Sequence, residues 1–445
     1  MPLIDRTVPL PPAWPPPKTV AEYESIVNYL LRRDPIGYRI HLSLACLALL
    51  LAPLWQAPSA IAFGMLAGYA LLRLPNTWRC CSALFVEPAM VAWLVFGLVL
   101  ALSITWNPFG PARGLDHLAA WRVMLYPALL LPVLPARRLL LAAMLVGCLA
   151  QLALMIVVGN AMPGYRWIGP LHNVNMTGMW GAVVAATGTA ALVWGHWWGL
   201  GVLGTGVATG LLSASRGSLI AVTVGSTIVL GLGVLSSRGR ERWRRLGRLV
   251  LPAVAAGVVA LIVLPTSARR LDRSVTLASA TVDTEGPTLS AVRAVDAARF
   301  QLWRLALLKA QERPVLGWGL GAYPSITTTT IETFDRSWWT DPAKVTSLSS
   351  IGRHEGSHSM YMRVACEQGL LGLVALLAAV TLTIEALTLR LRDSAMALGG
   401  LGVMVAWMVY AGTEDAHTLT RALLPVPMIL ALVIVAAPFD ARRRA

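Results

Sequence analysis

The sequence predicts an all-α protein that crosses a membrane about twelve times and carries one large loop between helices 9 and 10. Hydrophobic residues make up 56% of the 445-residue chain and charged residues only 13%, whereas a soluble domain carries roughly 25% charge. Apolar blocks alternate with short polar segments, and basic residues are distributed unevenly between the blocks. This composition excludes a soluble single-core enzyme and a disordered chain.

Twelve apolar runs approach the ~20 helical residues that a bilayer core requires. They lie near residues 38–55, 58–74, 88–105, 119–135, 139–158, 174–194, 198–213, 218–236, 249–266, 369–389, 394–411 and 422–438. With the N-terminus in the cytoplasm, the predicted organisation is an N-terminal arm (1–37), nine spans (38–266), an outer loop (267–357) with a helix over 290–313, three spans (358–438) and a cytoplasmic tail (439–445).

The net charge of +15 would, by itself, suggest nucleic-acid binding. In the predicted topology, 20 of the 37 basic residues lie in cytoplasmic segments and 5 at short outer loops, while 12 lie in the long outer segment. Basic residues concentrate on the cytoplasmic side of short loops, and long loops do not follow this bias. The basicity therefore orients the chain among membrane lipids, and no nucleic-acid partner is expected.

Two histidines, His354 and His358, lie where the outer loop enters the tenth span. Histidine acts as a general base near neutral pH, and a base at the membrane face suits a lipid-linked substrate. The alternative is a pair of interfacial histidines without chemistry. Glu367 follows in the helix that begins there and is expected either to be structural or to orient the histidine.

Residues 354–358 read HEGSH and also match the HExxH motif of zinc hydrolases. That reading is disfavoured because Gly356 and Ser357 weaken the helix that must carry both histidines, and no third ligand is well placed.

The five cysteines show no CxxC spacing. We expect neither a metal nor a cofactor. A transporter is the non-enzyme alternative, but the sequence gives no clear sign of broken, repeat-related helices.

Three arginines are expected at the outer face. Arg216 lies between two apolar runs, Arg166 precedes the sixth span, and Arg299 lies in the loop helix one turn before Trp303. Arginine binds phosphate in a bidentate manner, so these side chains would together neutralise a pyrophosphate. The alternative for each is a structural or snorkelling residue.

The order and spacing of these motifs resemble the O-antigen ligase and polymerase superfamily of bacterial envelope glycosyltransferases over about residues 165–372. HSMYMRVACEQGLLG resembles the family's H-N signature followed by E-x-G-x-x-G, with Ser359 where the family usually has Asn. Residues 298–323 resemble its R-x-x-x-W helix, which ends in P-x-x-G-x-G. The SRG at 215–217 and the segment around Asn175 resemble two further motifs.

This resemblance implies a GT-C-like membrane fold and a metal-independent, inverting glycosyl transfer. It assigns the base to His358, with His354 as a competitor, the pyrophosphate to Arg216, Arg299 and Arg166, and supporting roles to Glu367, Asn175 and Trp303. With one large loop and a short tail, the chain looks most like the ligase that moves O-antigen polysaccharide from undecaprenyl pyrophosphate to lipid A-core. Its site would face the periplasm from the bacterial inner membrane. An O-antigen polymerase and a protein O-oligosaccharyltransferase of the same superfamily are the alternatives.

Overall fold

The protein is helical throughout the part of the chain that its computed structural model describes. That part comprises residues 20–85, 87–159, 170–171, 173–213, 215–236, 302–326, 356–391 and 394–436, and none of these residues lies in a strand. Its helices are α1 (Val20–Arg33), α2 (Pro35–Leu51), α3 (Gln56–Cys81), α4 (Pro88–Ser103), α5 (Ala112–Ala119), α6 (Tyr126–Leu130), α7 (Arg137–Gly159), α8 (Val174–Val193), α9 (Gly199–Ser213), α10 (Arg216–Leu235), α11 (302–312), α12 (Met360–Thr388), α13 (Ala395–Ala411), α14 (Thr420–Leu423) and α15 (Pro425–Ala436).

The chain is a multi-pass membrane protein. Among the described residues, six helical segments are long and apolar enough to cross a bilayer, and the pair α1–α2, bent by 112°, makes a seventh if it counts as one span. Three further apolar helical segments, of 10–17 residues each, are shorter than these candidate spans: α9, α13 and Thr420–Ala431. Eleven of the twelve predicted runs overlap these helices, and the run at 249–266 lies outside the described residues. The count of twelve stays a prediction.

The predicted span at 119–135 is not one continuous α-helix, which corrects the sequence prediction. The chain passes from α5 through a 3₁₀ segment (Ala120–Leu125), α6 and a second 3₁₀ segment (Leu131–Ala136) before α7 begins. Prolines at 127, 132 and 135 remove backbone donors from this stretch, and 3₁₀ segments are short and poorly hydrogen-bonded. An apolar run of suitable length therefore does not by itself specify a regular helix.

Helix α8 lies at the centre of the bundle, and 89% of the residues in its apolar stretch are buried. It packs against α9 through facing glycines, because a Cβ at Gly188 would lie 2.3 Å from the backbone nitrogen of Leu203. A Cβ at Gly206 would likewise lie 2.3 Å from the backbone nitrogen of Ala185. Small residues that let two backbones approach are typical of helix pairs in membranes. This packing holds the second half of α8 against α9, and the first turn of α8 carries Asn175.

Helix α12 is broken at Gly369, whose φ of 62° and ψ of −154° are not helical. The predicted tenth span begins at this residue, but a break inside a helix was not predicted there. A break exposes backbone donors and acceptors that must be paired elsewhere inside a membrane. Here the glycine-rich turn after α11 pairs with them. The four bonds are Trp318 N to Cys366 O (3.0 Å), Gly319 N to Glu367 O (2.7 Å), Leu370 N to Pro314 O (2.8 Å) and Leu371 N to Val315 O (3.1 Å).

The turn itself depends on glycine. After α11 ends, the amide of Gly317 bonds to the carbonyl of Arg313 at 2.9 Å. Gly317 and Gly319 have φ values of 68° and 93°, which side chains rarely adopt. A Cβ at Gly317 would also lie 2.4 Å from the backbone of Glu367. Of the predicted loop helix over 290–313, residues 290–301 lie outside the described residues.

We expect Gly369→Ala to destabilise the protein by about 3 kcal/mol or more, because alanine strains the backbone at this φ and ψ. Its Cβ would also lie 2.6 Å from the carbonyl of Val315. Gly231→Ala is the matched control, since nothing lies within 4 Å of a Cβ there and alanine favours a helix. Thermal unfolding in detergent measures both variants. Equal melting temperatures for the two would contradict the proposed strain.

Candidate active site

His358 lies in a short non-helical segment immediately before α12, which begins at Met360. Its φ is +52°, a value that is uncommon for a residue with a side chain. Asp415 holds the residues on both sides of it, because one carboxylate oxygen accepts from the Ser357 hydroxyl at 2.8 Å and from the Ser359 amide at 3.2 Å. Strained backbone that is fixed by several contacts is characteristic of functional positions.

The ring of His358 faces an acidic partner that the sequence analysis did not identify. Its Nδ1 lies 3.4 Å from Oε2 of Glu414, and the histidine side chain is 32% exposed while the carboxylate is 10% exposed. The other carboxylate oxygen accepts a hydrogen bond from the side-chain amide of Asn175. A proton held on Nδ1 towards the carboxylate leaves Nε2 as the basic nitrogen. This geometry is suited to general-base chemistry, with Glu414 as an orienting carboxylate.

The start of α10, where Arg216 lies, is joined to the same cluster. Ser215 caps the helix by accepting from the amide of Ser218. The hydroxyl of Ser218 donates to the backbone carbonyl of Asn175 at 3.2 Å. A Cβ on Gly217 would lie 2.3 Å from the hydroxyl of Thr413, the residue before Glu414. The exposed Arg216 thus begins a helix that packs directly against the histidine's partners.

Trp303 connects α11 to the segment that carries His358. Its indole N–H donates to the carbonyl of Ser357 at 3.1 Å, next to His358. Trp303, which was predicted as a supporting residue, therefore lies next to His358. Arg299, one turn earlier in the sequence, lies outside the described residues, as do Arg166 and His354.

A buried ionic network lies beneath the site, centred on Arg363. Its guanidinium lies 3.1 Å from Oε1 of Glu367 and 3.1 Å from Oδ2 of Asp415. It also lies 3.1 Å from Nδ1 of His117. The arginine side chain is only 2% exposed, and a buried charge is tolerated only when it is paired and hydrogen-bonded. Asp415 therefore connects the buried arginine to the backbone around His358.

Glu367 belongs to this network, and its described contacts are structural. It is fully buried, and Oε1 accepts from the Tyr323 amide at 3.0 Å as well as from Arg363. The carboxylate that faces His358 is that of Glu414. Of the two roles expected from sequence, the contacts of Glu367 match the structural one.

Two signals for these residues were present in the sequence. Arg363 and Glu367 have the i,i+4 spacing of a helical ion pair. Glu414 and Asp415 stand together in a short polar segment between two apolar runs, where charges are costly and usually functional. His117 has no comparable signal, because its partner lies 246 positions away.

The zinc-hydrolase interpretation does not fit the local backbone. HExxH requires one helix to place both histidines on the same face, but residues 356–359 are not helical and α12 begins only at Met360. Within the described ranges, no group of three or more His, Cys, Asp and Glu side chains is arranged to hold a metal ion. His354 and Glu355, the first two residues of the motif, are not among those residues.

The stability of the site region is expected to depend on pH through His417. It is 1% exposed, and burial together with the positive charge of Arg363 and the nearby His117 holds its pKa well below the ordinary value of 6.5. The unfolded chain therefore takes up this proton first as the pH falls.

We expect stability to decrease by about 1.4 kcal/mol per pH unit below pH 6.5 through His417, with the full contribution present above pH 6.5. His417→Phe removes the titrating group, so its melting temperature should decrease less than that of the wild type between pH 7.5 and 5. His196→Phe, at an exposed position, serves as the control and should keep the wild-type slope. A wild-type slope in His417→Phe would contradict the assignment.

Comparison with known families adds one match. Residues 201–377 match a family model described as O-Antigen ligase. This region contains Arg216, Trp303, His358 and Glu367, whereas Asn175 lies before it. No curated protein matches the chain.

Proposed function

Because the chain is a member of the O-antigen ligase superfamily, we propose that it transfers O-antigen polysaccharide from undecaprenyl pyrophosphate to lipid A-core. The reaction would take place at the periplasmic face of the bacterial inner membrane. It would invert the configuration at the anomeric carbon and would not require a metal ion.

The observation that carries this proposal is the pairing of His358 with Glu414 at the junction between loop and membrane helix. A histidine whose Nδ1 faces a carboxylate is suited to remove a proton through Nε2. Its side chain is one-third exposed, so an acceptor hydroxyl has access to it. A base at the end of a membrane helix suits a lipid-linked substrate, whose reacting group lies near the membrane surface.

In the proposed step, Nε2 of His358 takes the proton from the acceptor sugar hydroxyl as that oxygen attacks the donor's anomeric carbon. The bond from this carbon to the pyrophosphate oxygen breaks, and undecaprenyl pyrophosphate leaves with the electron pair. The resulting imidazolium is stabilised by the nearby carboxylate of Glu414. No further acid or base is needed for the proton balance of this step.

Arginines would stabilise the charge that develops on the leaving pyrophosphate. Arg216 is exposed at the start of α10, which packs against the histidine's partners. Its helix N-terminus adds a favourable dipole for an anion. Arg299 and Arg166 complete the proposed set on the basis of the motif resemblance. Removal of one such contact typically costs 10²–10³-fold in rate.

Reconstituted transfer tests the proposal. Purified protein is mixed with undecaprenyl-pyrophosphate-linked polysaccharide and purified lipid A-core in the presence of EDTA. The expected product is polysaccharide-modified lipid A-core with an inverted linkage. Lengthening of the lipid-linked donor without transfer to the core would instead indicate a polymerase, and transfer to a protein acceptor would indicate an oligosaccharyltransferase. Loss of transfer with EDTA that zinc restores would indicate a metal enzyme.

We expect Glu414→Gln to reduce transfer about 10²-fold, because the amide keeps the shape of the side chain but no longer stabilises the imidazolium. Glu385→Gln is the matched control, since this exposed carboxylate lies near the other end of α12. Initial rates with both substrates saturating provide the measurement. Equal rates for the two variants would exclude a role for Glu414 in the chemical step.

A further inference from the structure

A second site lies at the opposite end of the bundle from His358. Helices α8 and α13 each approach the active site at one terminus, near Asn175 and after Ala411. Their other termini line a cavity of about 380 Å³, which includes Ala191 and Ala395. Sixteen positions separate Asn175 from Ala191 in α8, and Ala395 from Ala411 in α13. At 1.5 Å per residue this is about 24 Å. The cavity is therefore spatially separate from the catalytic cluster.

The interior of the cavity is apolar and its mouth is basic and aromatic. Leucine, methionine and valine side chains such as Leu141 and Met144 line the interior. Arg137, Arg138, His196, Trp194 and Trp198 line it as well. His196 and Trp198 stack with ring centroids 5.7 Å apart. A volume of this size lies in the range of ligand pockets, and aromatic residues with basic neighbours mark a membrane–water interface.

The positive charge at this mouth has no acceptor in the described part of the protein. Arg137 is half-buried and Arg138 exposed, and neither forms a hydrogen bond or ion pair with another described residue. The N-terminal turn of α13, with Ser394 and Ala395, lines the same cavity and adds a favourable dipole for an anion. The apolar interior is suited to hydrocarbon. Arg137 and Arg138 at the mouth are suited to an anionic group on the same molecule.

We propose that this cavity binds an anionic phospholipid, with an acyl chain among the apolar side chains and the headgroup phosphate between Arg137 and Arg138. Basic pockets between membrane helices bind anionic headgroups in this way. In the proposed orientation, with His358 at the outer face, the bound lipid would belong to the opposite, cytoplasmic leaflet. The inference does not depend on the proposed glycosyl transfer, because lipid binding is measured without substrates.

Binding of short-chain phosphatidylglycerol to the purified full-length protein in detergent tests the proposal. Phosphatidylcholine with the same chains supplies the hydrocarbon without net charge, and glycerol phosphate supplies the anion without hydrocarbon. We expect saturable binding of phosphatidylglycerol and a rise in melting temperature, with much weaker binding of the other two. The double variant Arg137→Gln/Arg138→Gln should bind phosphatidylglycerol about thirtyfold more weakly, at roughly one order of magnitude or less per arginine.

Two further variants separate a built site from general membrane affinity. Arg39→Gln removes an exposed arginine that does not line the cavity and should bind like the wild type. Leu141→Trp fills the cavity and should weaken binding while leaving both arginines in place. The double variant should also unfold at the wild-type temperature without lipid, since its side chains have no described partners. Equal binding of phosphatidylcholine, equal binding of glycerol phosphate, or undiminished binding in the double variant would overturn the proposal.

Discussion

Replacing His358 with alanine is expected to reduce polysaccharide transfer to lipid A-core by 10²–10⁴-fold, the usual contribution of a positioned general base. The acceptor hydroxyl would then lose the group that takes its proton, while the arginines still bind the donor. The measurement is the initial rate of the reconstituted reaction. In cells, the variant should accumulate lipid-linked O-antigen and unmodified lipid A-core.

Ser359→Ala is the control for this substitution. Ser359 is the next residue in the same non-helical segment, and its contact with Asp415 uses the backbone amide, which alanine retains. Its side chain does not cap α12. We therefore expect near wild-type transfer from Ser359→Ala. Normal transfer by His358→Ala would show that His358 is not the general base. His354 would then be the remaining candidate.

Glu367→Gln is expected to destabilise the protein by about 3–5 kcal/mol, the cost of breaking a buried ion pair by removing one partner. The amide has the same shape and can still accept from Tyr323, so the loss reports on the charge facing Arg363. The Arg363 guanidinium would then be left with Asp415 as its acidic partner in the network. Chemical or thermal unfolding in detergent measures the change.

Glu312→Gln provides the matched comparison, because Glu312 pairs with Lys309 at 2.7 Å three positions away on an exposed helix surface. Exposed pairs of this kind contribute about 0.2–1 kcal/mol. The folded fraction of Glu367→Gln should also keep the pH profile of wild-type transfer, since His358 faces Glu414 instead. A shifted pH profile in Glu367→Gln would assign it an orienting role and contradict the structural one.

The features that could be predicted from sequence depend on local pattern. Apolar runs of bilayer length predict helices because the bilayer imposes a length and requires internal hydrogen bonding. The placement of His358 at a helix start follows from the boundary between polar loop and apolar run. The run at 119–135 fails this reasoning because its prolines break a regular helix although its hydropathy is high.

The residue pairings that could not be predicted depend on tertiary contacts between distant segments. Glu414 lies 56 positions from His358, and His117 lies 246 positions from Arg363. No periodicity links such pairs, because their proximity follows from how the helices pack. The break at Gly369 was missed for the same reason, since it is stable only where the turn after α11 pairs with its exposed backbone groups.

The four hydrogen bonds between that turn and α12 have a consequence for how a substrate is received. They join the end of α11 to α12, and Trp303 joins α11 to the segment that carries His358. Residues 302–326 and the first half of α12 are therefore held together as one rigid frame around His358. In the proposed transfer, a long polysaccharide chain would be aligned by threading its reducing end into this preformed frame, and binding energy would not be needed to order this part of the chain.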